Sequence, residues 1–151
     1  MRGAARYLKA IVIALVIPAF VGAAAGGGEP LTKKELLKQG NAICRDADDQ
    51  IGVLADNTFG PYNTDEEVPP EVVEAFGAGL VPILRGAIAD IDALEPPTKD
   101  AQRVQKIINA FTETIDAVEA DPSIFAGRAD GEDPFEKPSK LARKYGLKRC
   151  A

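Results

Sequence analysis

The chain has 151 residues with 18 Lys+Arg against 23 Asp+Glu, a net charge of −5, and 46% of its residues are hydrophobic. That length holds one modest domain, and the acidic balance argues against nucleic acid as a partner. With no histidine, no tryptophan and a methionine only at position 1, the commonest general base, the usual haem ligands and most zinc sites are excluded together.

The first 25 residues read as a targeting segment. Arg2, Arg6 and Lys9 form a basic start, "AIVIALVIPAF" is an apolar stretch, and Ala23 and Ala25 fit an A-x-A cleavage pattern. The competing reading is an uncleaved anchor, although residues 10–25 fall short of the roughly 20 residues a spanning helix needs. Either way the remainder of the chain is expected outside the cytoplasm, with any membrane contact made through residues 10–25 if they are retained. The expected organisation is 1–25 as signal peptide or anchor, 26–31 as a flexible Gly-rich lead-in, and 32–151 as the folded domain.

The first predicted helix opens at "LTKKELL", where Thr32 followed by Glu35 spells a capping box and Leu31 stands as a hydrophobic staple. Leu36, Leu37, Gly40, Ile43, Cys44, Ala47, Ile51 and Leu54 recur at three- and four-residue steps and make one stripe. Asp46, Asp48 and Asp49 fall off that stripe, toward solvent. After the breaker-rich "TFGPYNTDEEVPP", a second helix starts near Pro70, a residue suited to a first turn. Its stripe runs Val73, Phe76, Leu80, Leu84, Ala87, Ile91 and Leu94, but Gly77, Gly79 and Pro82 lie inside it. A kink or short break over 77–82 is expected, since interior proline removes one hydrogen bond and clashes with the preceding turn.

"LEPPT" ends that helix, with Thr98 expected to cap the next. The third helix carries Ala101, Val104, Ile108, Phe111, Ile115 and Val118 on one face and stops at Asp121-Pro122. A short fourth helix, from Pro134 or Pro138 to Tyr145, should end on Gly146 as a C′ glycine with Leu147 packing back. Strand signals are missing. The fold class is therefore all-α: a small antiparallel bundle of three long helices plus a short C-terminal one.

Two cysteines remain in the exported part, Cys44 and Cys150. Outside the cytoplasm they are expected to form an intramolecular bridge that staples the bundle, against two rivals: free buried thiols, or a disulfide to a second chain. Removing Arg2, Arg6 and Lys9 with the first 25 residues leaves 15 basic against 23 acidic residues, a net −8. Lys137, Lys140, Arg143, Lys144, Lys148 and Arg149 against Glu136 give residues 136–151 a net +5, so residues 26–135 carry −13. A bridged tail would lie beside Asp46, Asp48 and Asp49 and cover acidic surface, a reading favoured over contact with a membrane or polyanion.

Catalytic and metal motifs are missing: no C-x-x-C, nucleophile elbow, phosphate loop or G-x-G-x-x-G occurs. "DADDQIG" departs from a calcium loop at Gln50 and Ile51 and sits inside a helical stripe, while "DEE" at 65–67 and "DGED" at 130–133 read as solvated loops, Asp133 serving as an N-cap before Pro134. No cofactor or metal is implied.

The segments "LTKKELLKQGNAIC", "ALEPPTKDAQRVQKII" and "KYGLKRCA" together resemble a group of small exported helical proteins of actinobacteria, over most of the exported part. Gly40 stands where alanine is usual in that group's "ANAIC"-like segment. The resemblance implies an extracytoplasmic domain with a Cys44–Cys150 pair and brings no activity with it. Three functions follow as expectations. The first is a non-enzymatic module that binds a protein or envelope partner through an exposed helical face. The second is a carrier whose bundle opens on a small apolar ligand around Phe76, Gly77, Gly79 and Phe111. The third is a hydrolase using carboxylates alone. A cavity lined by the named residues would favour the carrier, converging acids the hydrolase, and a well-packed bundle the partner-binding module.

Overall fold

A computed structural model describes residues 29–62, 68–124 and 133–151. The targeting segment, the start of the lead-in, "DEE" at 65–67 and residues 130–132 of "DGED" lie outside these residues. Among the described residues there are four α-helices and no strand: α1 (Lys33–Phe59), α2 (Pro70–Asp92), α3 (Ala101–Ala120) and α4 (Glu136–Tyr145), followed by a terminal 3₁₀ turn (Lys148–Cys150). The expected all-α bundle is what the chain forms.

Each helix starts and stops for local reasons. At α1 the Glu35 N–H donates to Thr32 Oγ1 (3.3 Å) and the Thr32 N–H to Glu35 Oε2 (2.9 Å), the reciprocal capping box. Leu31 packs on the core and its N–H donates to the Glu95 carbonyl at 2.9 Å, tying the lead-in to the α2–α3 connection. α4 ends in a Schellman motif: Gly146 is left-handed at φ 117°, its N–H reaches the Arg143 carbonyl (3.2 Å), and the Leu147 N–H reaches the Ala142 carbonyl (3.0 Å). Leu147 is then only 1% exposed.

Two expectations are corrected. Of the kink or short break expected over 77–82, the break does not occur: α2 is helical throughout and continues through Pro82. Pro82 and Ala78 are both exposed, so the carbonyl that loses its donor faces water and costs little. Thr98 does not cap α3. The Pro97 carbonyl accepts from the N–H groups of Asp100 (2.7 Å) and Ala101 (3.1 Å), and the turn delays the helix until Asp100 is its N-cap. The Asp100 carboxylate makes no capping bond; it faces inward and accepts from Tyr145 Oη at 3.2 Å.

The helices run antiparallel and touch in a cycle. α1 packs on α2, α2 on α3 and α3 on α4; α4 leads into the 3₁₀ turn, and that turn packs on α1. Phe59 stacks near Phe76 (ring centroids 4.9 Å apart) where α1 turns back as α2, and the side chains of Asp116 and Glu119 on α3 both pair with Arg85 on α2. α3 carries the largest share of the core: Val104, Ile107, Ile108, Ala110, Phe111, Ile115 and Val118 are all buried. Leu36 from α1, Leu80, Val81 and Ile91 from α2, and Ala142, Tyr145 and Leu147 from the tail complete it. Cys44 and Cys150 are bonded, with Cα atoms 5.1 Å apart across a separation of 106 residues. The bridge closes the cycle.

Candidate functional site

The ring does not seal along its whole length. Between α1 and α2, over Phe111 of α3, lies a groove of about 380 Å³ that opens to solvent. Its apolar lining is Ala47 and Ile51 from α1, Phe76, Leu80, Leu84, Ala87 and Ile88 from α2, Phe111, and Phe135 from the approach to α4. One wall is the bridge itself, with Cys44 and Cys150 both lining the space beside Arg149 and Ala151. Asp48, Asp133 and Ser139 stand at the polar margin.

The opening has a cause in the helix stripes. Phe76, Leu84, Ala87 and Ile88 lie on the inward side of α2 and Ile51 on that of α1, yet all five stay half-buried. Apolar side chains turned inward without full burial leave a lined space rather than a filled one. Phe111 and Phe135 (ring centroids 6.4 Å apart) form the far side.

Of the residues nominated for a ligand, Phe76 and Phe111 meet in this groove. Gly77 and Gly79 do not line it. Gly77 is buried within α2, and at Gly79 an added Cβ would stand 3.0 Å from the Leu54 side chain, so that glycine lets α1 and α2 approach. Ile51, Leu80, Leu84 and Ala87 were legible as stripe positions but read as core. Phe135, in a turn-rich stretch with no helical period, gave no signal at all.

The polar groups are accounted for individually. Asp133 Oδ1 accepts from the Phe135 N–H at 3.0 Å, holding the turn that leads into α4 rather than capping the helix directly. Burial at the groove edge raises the Asp48 carboxyl above its ordinary range; the Arg149 charge lowers it in part and Asp49 raises it further. Asp48 and Asp133 border the same groove, but no hydrogen bond joins them, and Asp48 remains exposed. The expected covering of acidic α1 surface by the basic tail takes the form of this Arg149–Asp48 attraction; among the described residues no ion pair within 4.0 Å joins the tail to α1. Among those residues no group of three His, Cys, Asp or Glu side chains is placed to hold a metal ion.

The fold and groove define a small, disulfide-closed all-α domain, and the bridge fits an oxidising, extracytoplasmic setting. α2 has the length and composition of a bilayer-crossing helix, but α1 and α3 pack against it, so that likeness is weak. Comparison with protein-family models, curated proteins and solved structures returned no match.

Proposed function

We propose that this protein is an exported, non-catalytic carrier, with residues 1–25 as its targeting segment and the groove at Phe76 and Phe111 as the seat of a small apolar ligand. The observation that carries this reading is a concave, largely apolar space of about 380 Å³ built from all four helices' worth of chain. Small-molecule sites occupy roughly 300–1,000 Å³ and are lined mainly by aromatic and aliphatic side chains with a few polar groups at the edge. A continuous, filled bundle would have favoured the partner-binding module instead. The carboxylate hydrolase finds less support, because Asp133 is engaged with backbone and Asp48 has no acidic partner in hydrogen-bond contact.

The ligand is expected to be uncharged in its buried part and to present any polar end near Asp48 and Arg149. A fluorescence titration with N-phenyl-1-naphthylamine, a neutral apolar probe, should show saturable one-to-one binding. Ala87→Phe places a ring into the groove from a half-buried position and should abolish that binding while the thermal transition stays cooperative. Absence of binding to the native protein, or equal binding by the filled variant, would overturn the carrier reading. Native mass spectrometry of protein purified from its own host then identifies the resident molecule.

A further inference from the structure

Resting on the reading of the groove as a ligand site, we infer that the Cys44–Cys150 bridge governs it: the bridge is a wall of the groove, and reducing it opens the site while the fold persists. Both sulfur-bearing residues line the groove together with Arg149 and Ala151.

The tail is fastened at two levels. Upstream, Leu147 is 1% exposed and sits against Gly40, where an added Cβ would lie 2.7 Å from Leu147 Cδ2. Asn41 grips the same stretch from both of its amide atoms: Nδ2 donates to the Gly146 carbonyl (3.3 Å), and Oδ1 accepts from the Arg149 N–H (2.8 Å). Tyr145 Oη donates to Asp100 at 3.2 Å on the other side of the helix end. Each of these contacts stands without the bridge. Downstream of the Arg149 N–H, Cys150 has its own N–H bond to the Leu147 carbonyl (3.2 Å) and a Sγ contact with the Gly40 carbonyl (3.7 Å), and the bridge is the covalent link that fixes Cys150 and Ala151 against α1. Breaking it therefore frees the groove wall and leaves the anchor in place.

Access favours one direction of attack. Cys44 is 7% exposed inside α1, whereas Cys150 is half-buried on the groove side. The thiolate of a dithiol reductant attacks Cys150 Sγ, forming a mixed disulfide as Cys44 leaves as a thiolate and takes up a proton. The reductant's second thiolate then attacks its own sulfur in the mixed disulfide and releases the Cys150 thiolate, which is also protonated. Two electrons pass to the protein, and the dithiol ends as a disulfide. Cys150 and Ala151 then no longer enclose the ligand, so its affinity falls. By linkage the ligand resists reduction by the same factor.

The test uses the whole folded chain, with N-phenyl-1-naphthylamine as probe and dithiothreitol as reductant. Reduction should leave the far-UV circular dichroism unchanged and weaken probe binding about ten-fold, and saturating probe should shift the dithiothreitol-to-protein redox equilibrium toward the bridged form by the same factor. Cys150→Ser should match the reduced protein in both helicity and affinity. Equal affinity in the two redox states, or no effect of probe on the redox equilibrium, overturns the gating while leaving the ligand site intact. Collapse of the helical signal on reduction overturns it too, because the bridge would then hold the fold rather than a wall. Failure of the bridged protein to bind the probe at all removes the carrier reading and the gating with it.

Discussion

Asp100 and Tyr145 show how one side-chain pair joins distant parts of the chain. Among the described residues Asp100 is the only charged one that is buried, 8% exposed, and it lies 45 positions from the hydroxyl whose hydrogen bond it accepts. Every buried side-chain nitrogen or oxygen among the described residues has a hydrogen-bond partner, as buried polar groups require. Burial, then the hydrogen bond and charge of Asp100, push the Tyr145 hydroxyl from its ordinary value of 10.0 up to about 12. The folded state therefore holds this proton more tightly than the unfolded one. The resulting stability is complete below pH 10 and drains away as pH rises from there to about 12. At about 1.4 kcal/mol per pH unit, the loss is on the order of 2 kcal/mol. Urea unfolding of the native protein against Tyr145→Phe across pH 8–12 should show this extra alkaline loss only in the native protein. Parallel stability curves would contradict the assignment. Neither Asp100 nor its partner was legible in sequence, since the pairing exists only once α4 lies antiparallel on α3.

At the scale of elements, α1 illustrates both what a stripe reveals and what it conceals. The stripe through Leu36, Gly40, Cys44 and Ala47 is buried as its spacing requires. A stripe tells which face is inward, but not what stands opposite each position. Gly40 faces Leu147 at a distance that leaves no room for Cβ, and Leu147 is enclosed on all sides; Gly52 on the same helix has nothing within 4 Å of an added Cβ. Gly→Ala in a helix interior gains roughly 0.5–1 kcal/mol from backbone entropy, while forcing an enclosed side chain aside costs about 1–3 kcal/mol. Gly52→Ala should accordingly stabilise the protein by about 0.5–1 kcal/mol, and Gly40→Ala should destabilise it by about 1 kcal/mol. Chemical denaturation of both variants checks the pair, and stabilisation by Gly40→Ala would show that the tail anchor yields. Capping signals were the most readable feature of this chain, at Thr32 and Glu35 and again at Gly146. They fail at Thr98, where a proline-led turn displaces the N-cap by two residues, to Asp100.

The whole molecule is a cycle of helices in which α1 and the tail meet last. In the chain-entropy treatment a bridge closing a loop of about 100 residues contributes up to about 4.7 kcal/mol, and native domains have only about 5–15 kcal/mol in all. Replacing both Cys44 and Cys150 by serine should cost about 2–5 kcal/mol, read by denaturant midpoint at 25 °C, and should leave a folded helical protein. An unfolded variant would mean that Leu147, Asn41 and Tyr145 do not hold the tail unaided. The same closure explains the groove. Four segments arranged around a ring each meet two neighbours, but the space they surround fills only where large side chains point into it. Near Leu36, Ile115 and Leu147 it is filled; near Phe76, Leu84 and Ala87 it is not.

By itself, the sequence determined the number and type of the helices, most of their ends, the inward face of each, and the cysteine pair as the expected closure. Those features are local: caps, glycines, prolines and a 3.6-residue period act within one or two turns of chain. Only the tertiary structure decided that Phe76 and Phe111 share a groove, that Gly79 seats Leu54 instead of a ligand, that Asp100 turns inward, and that the bridge walls a cavity. Each of these depends on the relative placement of helices far apart in sequence. That placement is set by how side-chain volumes fill the shared core, which periodicity along a single helix does not encode.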